Sequence, residues 1–299
     1  CMESFSKGWS FLKQAWSMAF KDKDLLKPSI YALIVGGIVS IIGIIPIIIS
    51  AFLFIDTQFG NIIIGILGAI LMFVQFVITY VFSGMTIRLI YDYLTKGDGN
   101  MSEAWAIVRR DFFDILTLAV VSTAVGLLRQ AAQRNRNGMA GSLARAATGL
   151  LEVLWTQAAV LILPAMIIDD LNLKDGAVRV GKIVKENLLL IGVGAMGVRA
   201  VTGLIGFIFG VIAFVIAIAV GGGLAFASGG NTTITIIAIL IGALIFFTII
   251  MLISVFSSYT NTAYHACLYI WARDVEKATV EGRVPSQVQA PAPLAAALA

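Results

Sequence analysis

Six apolar runs, separated by short polar links, make up most of this chain. They are about Ser29–Ile55, Ile62–Leu89, Phe112–Leu128, Ala146–Ile168, a stretch within Leu188–Ala227, and Thr233–Tyr269. Crossing a bilayer needs about 20 predominantly apolar residues in a helix. Leu188–Ala227 is the most telling run, with Arg199 as its one charge and no proline. As a helix it would be about 60 Å long at ~1.5 Å per residue, roughly twice the hydrocarbon thickness. Its glycines 221–223 hold helix poorly, so a frayed or broken end is expected there. Pro46 predicts a kink in the first span. The pattern predicts an all-α, polytopic transmembrane helical bundle of about six spans.

Between the runs the period changes. In Glu3–Phe20 the residues Phe5, Trp9, Leu12, Trp16 and Phe20 recur at steps of three and four, while Lys7, Lys13 and Gln14 face elsewhere. That spacing predicts an amphipathic helix lying in the membrane interface. A second such helix is expected near Glu103–Val108, N-capped by Ser102 after the turn Thr95–Asn100. A third is expected over Ala177–Val184, opened by Asp175-Gly176. Each precedes a pair of spans, so the chain reads as one unit used three times. The layout is an interfacial helix over 1–27, a six-span domain over 28–277 and a flexible Pro/Ala-rich tail over 278–299.

Charge sets the orientation. Five lysines precede the first span, Lys96, Arg109 and Arg110 lie between spans two and three, and Lys174, Arg179, Lys182 and Lys185 between four and five. The links at Asp56–Asn61 and Ser228–Asn231 carry none. By the positive-inside rule both termini, and the three interfacial helices, are expected on the cytoplasmic side of a bacterial inner (cell) membrane. Arg129, Arg134, Arg136 and Arg145 then fall outside. Either that loop meets an external anionic partner, or spans three and four form a shallow hairpin; crossing is the favoured reading.

Composition agrees. The 299 residues are 59% hydrophobic and 13% charged, against about 25% charged in ordinary globular chains. Net charge is +4, pI is near 9.1 and mean hydropathy is +0.96. Basic residues at membrane ends suit anionic lipid headgroups, and without a basic groove nucleic acid is not an expected partner. Of the two cysteines, Cys1 stands before Met2, more consistent with an added residue than with a lipidated one. No cleavable signal peptide is expected, because the first 27 residues are amphipathic and lysine-bearing.

Polar groups inside the apolar runs are the candidate chemistry. Glu152 and Arg199 would lie about 24 Å and 17 Å from the inner face, an offset two long side chains can span. Arg199 is either buried in this way or an inner-interface anchor. A structural bridge between spans four and five is expected in preference to a transport site. Gln75 and Gln157 could share hydrogen bonds in the same interior. Four-residue spacing predicts the pairs Arg88–Asp92 and Arg110–Asp114. His265 reads as interfacial packing and Cys267 as core.

Small residues repeat four apart at Gly206 and Gly210, at Ala213, Ala217 and Gly221, and at Ala238 and Gly242. Such faces let helices approach closely, within one chain or between two. Trp9, Trp16, Trp105, Tyr264 and Trp271 are the expected interfacial anchors. No nucleotide loop, zinc spacing or nucleophile elbow occurs, and Gly192–Gly197 imitates a glycine fingerprint without a preceding strand. No catalytic, cofactor-binding or metal site is therefore expected.

Several stretches carry a resemblance. Lys21–Lys27 (KDKDLLK), Gly99–Trp105 (GNMSEAW), Leu163-Pro164 followed by Asp169-Asp170, Gly176–Val178, and Ala263-Tyr264 with Leu268-Tyr269 resemble an uncharacterised family of six-span bacterial membrane proteins. More distantly, they are similar to the membrane domain of glycerophosphodiester phosphodiesterases. With one histidine and no acid cluster, the catalytic module of those enzymes is absent. The expectation is a non-enzymatic structural, assembly or interaction component, in a homo-oligomer or with another membrane protein. The alternative is a channel or small-solute transporter using the Glu152/Arg199 interior.

Overall fold

A computed structural model describes residues 2–54, 57–134, 138–227, 229, 231–284 and 287–298; within its helices the side chains of 2–5, 134, 138–140, 184–197, 199–200 and 297–298 lie outside the description. Among the described residues the chain is helical and has no strand. The helices are α1 (Met2–Lys21), α2 (Lys27–Leu53), α3 (Gln58–Lys96), α4 (Met101–Arg110), α5 (Phe112–Arg134), α6 (Gly138–Asp169), α7 (Leu173–Ala227), α8 (Thr232–Val280) and α9 (Ala292–Leu298). A 3-10 turn, Lys23–Leu25, joins α1 to α2. Six segments are long and apolar enough to cross a membrane, one in each of α2, α3, α5, α6, α7 and α8.

Local chemistry sets the boundaries. Pro28 sits in the first turn of α2, where its missing N–H breaks no helical bond. Pro46 lies inside α2, which continues past it. Thr57 caps α3 through the Gly60 N–H at 2.9 Å, and Gly97, at φ 84°, closes that helix in the left-handed region. The cap of α4 is Asn100 rather than Ser102. Its Oδ1 accepts from the N–H groups of Ser102 and Glu103, which places Ser102 inside the first turn.

The third interfacial helix does not stand alone. It is the opening of α7, capped by Asn172 Oδ1 on the Asp175 N–H, and the helix continues for 55 residues to Ala227. No proline or polar turn interrupts 177–200, so nothing in the sequence separates the two pieces. The expected break at Gly221–Gly223 is absent because α8 packs there: a Cβ on Gly242 would lie 2.7 Å from the Ala217 carbonyl oxygen, and one on Gly221 3.0 Å from that of Ala238. Glycine is what lets the two backbones meet.

Packing divides the molecule in two. At the end where α3, α6 and α8 carry their charges, side chains interlock. Leu89 and Ile90 of α3, Val108 of α4, Leu118 of α5, Ile162 of α6 and Tyr264 of α8 are at most 2% exposed. Over the remaining length apolar side chains point outward, as with Ile34, Ile38, Ile41 and Ile45 on α2 and Ile62, Ile66 and Ile70 on α3. Burial from water is worth about 1.5–3 kcal/mol for a large aliphatic side chain. Lipid tails offer no such drive, so helices there depend on small residues and a few hydrogen bonds.

The first helix joins the packed end. Its buried stripe is Phe11, Leu12, Ala15, Met18 and Ala19, while Trp9 and Phe20 of the expected apolar face are exposed. Phe11 meets Tyr264 edge-on, and Tyr259 donates to the Ala15 carbonyl at 3.1 Å. Within 278–299, read from sequence as a flexible tail, α9 packs on α1 and buries Leu294.

Candidate functional site

Four carboxylates at the packed end each face two cations. Asp92, fully buried on α3, meets Arg88 at 3.0 Å and Lys96 at 3.1 Å. Glu103 of α4 takes Arg88 and Lys96 as well, the latter at 3.0 Å. Asp169, at the end of α6, accepts from Tyr269 at 2.5 Å and from Arg273 at 3.3 Å, with Arg179 also 3.3 Å away. Glu276 of α8 holds Arg179 at 3.2 Å and Lys182 at 3.1 Å. The Tyr91 ring joins the two clusters, with the Arg88 guanidinium at 5.4 Å and that of Arg273 at 5.3 Å from its centroid. The result is a polar collar that ties α3, α4, α6, α7 and α8 together.

Sequence spacing found one of these pairs and mistook its setting. Arg88–Asp92 is read as a surface pair worth a few tenths of a kcal/mol. Its carboxylate is instead fully buried, with Arg88 part-exposed, and a buried carboxylate persists only because both cations reach it. Arg110 does not turn to Asp114. It bonds Asp111 at 2.6 Å and Asp170 at 2.8 Å, tying the α4–α5 corner to the end of α6. Asp22 reaches across the chain, accepting from the Gly99 N–H at 2.8 Å, and so docks the first segment on the α3–α4 turn.

The Lys96 ammonium, and after it the Arg88 guanidinium, hold the Glu103 carboxyl below the ordinary carboxylate range. A depressed carboxylate contributes stability that is present above its unfolded pKa, about 4.3, and lost as pH falls through the lower folded value. Acidification below about pH 4 should therefore loosen the α3–α4 corner, and Glu103→Gln should remove that part of the acid response. Hydrogen exchange at the Gly97–Ser102 amides, followed against pH, checks this.

Inside the apolar length a few polar groups join helices. Gln75 donates to the Gly36 carbonyl at 3.0 Å and to Ser40 at 2.8 Å, so it bonds across to α2 rather than toward Gln157. Ser122 links three helices. Its hydroxyl proton goes to the Leu118 carbonyl at 2.8 Å, so Tyr80 at 2.7 Å and Trp155 at 2.9 Å both donate to it. Glu152 bonds Arg129, across from α6 to α5. The side chain of Arg199 lies outside the described residues, and with it the Glu152/Arg199 pair. One of the four anomalous arginines thus has its acid within the bundle.

The remaining residues singled out from sequence fall in three places. Ala213, Ala217, Gly221, Ala238 and Gly242 form the α7–α8 seam of one chain, and a Cβ added to Gly206 or Gly210 would stand at ordinary contact distance from Ile253 or Ile250. Trp9 and Trp105 are exposed, Trp16 donates to Thr260 at 2.9 Å, and Trp271 donates to the Val288 carbonyl at 3.4 Å. Tyr264 is buried, as are Tyr259 and Tyr269, so it belongs to the core and is not the interfacial anchor expected. The reason is that α8 runs past the apolar zone and is covered there by α1, α3 and α6. His265 is buried with Nδ1 2.7 Å from the Asn261 carbonyl, and Cys267 is fully buried.

Three cavities adjoin one another along α8, bordered in turn by α1 and α7, by α7, and by α3 and α6. An apolar groove of about 360 Å³ lies between Trp16 and Phe20 of α1, Gly206 and Phe209 of α7, and Ile249 and Phe256 of α8. It shares Thr202, Ile253 and Ser257 with a chamber of about 590 Å³ that also takes in Ser254, Ser258 and Asn261. Ser258 and Asn261 border a smaller cavity of about 110 Å³ reaching Thr79, Ser83 and His265. No cluster of three or more His, Cys, Asp or Glu able to hold a metal ion occurs among the described residues.

A model of a family of unknown function (DUF6159) matches residues 93–279, more than half of the chain. The matched region runs from the end of α3 to the end of α8 and so contains most of the collar. No curated protein and no solved structure matches.

Proposed function

We propose that this chain, which belongs to that family of unknown function, is a non-enzymatic component of a bacterial inner membrane with a structural, assembly or interaction role. The observation that carries this reading is the collar. Its carboxylates are committed to holding five helices in one arrangement, and a charged group spent on two cations is not spare for proton transfer. The six apolar helices place the chain in lipid, and the basic ends favour anionic headgroups and a cytoplasmic collar. Exposed Trp9 and Trp105 suit anchoring at that boundary. The α7–α8 small-residue seam is used within the chain, so association with a second copy or another membrane protein would use other faces.

The test pairs assembly with flux. Cross-linking in native membranes is expected to give species heavier than the 31.9 kDa chain, and proteoliposomes are expected to pass ions and small solutes no faster than empty vesicles. A flux abolished by Glu152→Gln, with assembly intact, would establish the transport reading in its place.

A further inference from the structure

The end of the molecule opposite the collar carries charges that the bundle does not balance. Between Asp114 and Glu152 the chain has Arg129, Arg134, Arg136 and Arg145 and no acid. The tips of the α2–α3 and α7–α8 hairpins lie at the same end and add one charge, Asp56. Four arginines thus stand against two carboxylates, Glu152 and Asp56. Asp56, Arg136 and the side chain of Arg134 lie outside the described residues, but the excess of cations holds wherever they point. Glu152 is taken by Arg129. The surplus arginines need an anion from outside the chain.

Packing fixes the depth of these groups. α3 runs from the far end toward the collar and α5 runs back, and they meet at Gly126, where a Cβ would stand 2.9 Å from the Met72 sulfur. From Met72 to the start of α3 at Gln58 is about 21 Å, whereas α5 has only about 12 Å left before it ends at Arg134. α5 therefore stops about 9 Å short of its neighbour's tip, and Arg129 lies about 16 Å inside it. Glu152 sits beside Arg129, and two turns further out on the same face of α6 is Arg145, which is exposed. That places Arg145 about 6 Å inside the level of Gln58. The headgroup layer is about 5–8 Å thick, so Arg145 stands at its inner edge, within a side chain's reach of the lipid phosphates.

We infer that the α5–α6 hairpin binds the phosphate of an anionic phospholipid in the leaflet opposite the collar, and that Arg145 is the group that meets it. A guanidinium fork matches a phosphate with two parallel hydrogen bonds. The surplus of cations favours a headgroup of net negative charge, such as phosphatidylglycerol, over a zwitterionic one. Because α5 ends early, the leaflet dips beside it and the phosphate sits lower than beside α2 and α3. The inference rests on the six helices lying in lipid, as proposed above.

The full-length protein in phosphatidylcholine nanodiscs, doped with phosphatidylglycerol bearing a photoreactive group on its head, tests this. Cross-links should saturate, map to residues 141–154 in preference to the α2–α3 tip, and yield to unlabelled phosphatidylglycerol. Arg145→Gln should lower labelling about fivefold and Arg145→Lys keep most of it, with helicity and elution as fold controls. Gln133→Glu, which puts an acid at an exposed position of α5, should also weaken labelling and decides the matter if Arg145→Gln does not fold. Labelling that is unsaturable, equal at the α2–α3 tip, or unchanged by these variants in a folded protein would overturn the site. Displacement by inorganic phosphate would assign it to a soluble anion, and displacement by polyglutamate to an acidic protein; either overturns the lipid. The same lipid with its photoreactive group on an acyl chain should label the exposed isoleucines of α2 and α3 in every variant. Failure there would count against immersion in lipid, and so separates that reading from the site.

Discussion

Asp169→Ala should lower the unfolding free energy by about 3–5 kcal/mol, the range found when one partner of a buried ion pair is removed. The carboxylate accepts from Tyr269 and Arg273 and faces Arg179, and Arg273 is only 8% exposed. Without it, the Arg273 guanidinium keeps, among the described residues, Asp274 beside it and the face of Tyr91. Asp169→Asn keeps an oxygen for Tyr269 but no charge for the arginines, so it should fall between wild type and alanine. Denaturant unfolding in mixed micelles gives the ordering. Equal stability of all three proteins would mean that the collar does not hold the helices.

The second large effect belongs to the α7–α8 seam. Gly242→Leu should separate the two helices, because even its Cβ would stand 2.7 Å from a backbone oxygen and backbone cannot swing aside as a side chain can. Overpacking of this kind costs about 1–3 kcal/mol and occasionally more. Spin labels on the exposed faces of α7 and α8 should show the widening directly. Gly223→Leu is the matched control, since a Cβ at that position meets nothing within 4 Å. A seam that tolerated leucine at 242 as readily as at 223 would refute close approach as its basis.

How much of this could be read in advance depended on range. The six apolar runs follow from composition and length alone, and each reappears as a helix with bounds moved by a few residues or extended. Pairs within one helix were half visible: spacing joins Arg88 to Asp92, yet burial of that pair depends on Glu103 and Lys96 arriving from either side of a turn. Partners a hundred residues apart were invisible. Asp169 stood out as part of a polar doublet, but nothing in the sequence points from it to Tyr269 and Arg273. Tyr264 as an interfacial anchor failed for a related reason, since a tyrosine at the end of an apolar run looks alike whether lipid or protein covers it. The cavities had no signal in the sequence, because each is the space that helices distant in sequence leave between them.

The division between an interlocked end and an outward-facing apolar length also sets where the chain is free to drift. In the outward-facing length a side chain answers only to being greasy, so valine, isoleucine and leucine can trade places with little effect. At the interlocked end shape is specified as well, and the loss of one methylene from Ile90 or Ile162 leaves a void that its neighbours cannot close. Homologues of this chain should therefore diverge fastest along the outer faces of α2 and α3 and hold their residues around Asp92 and Asp169.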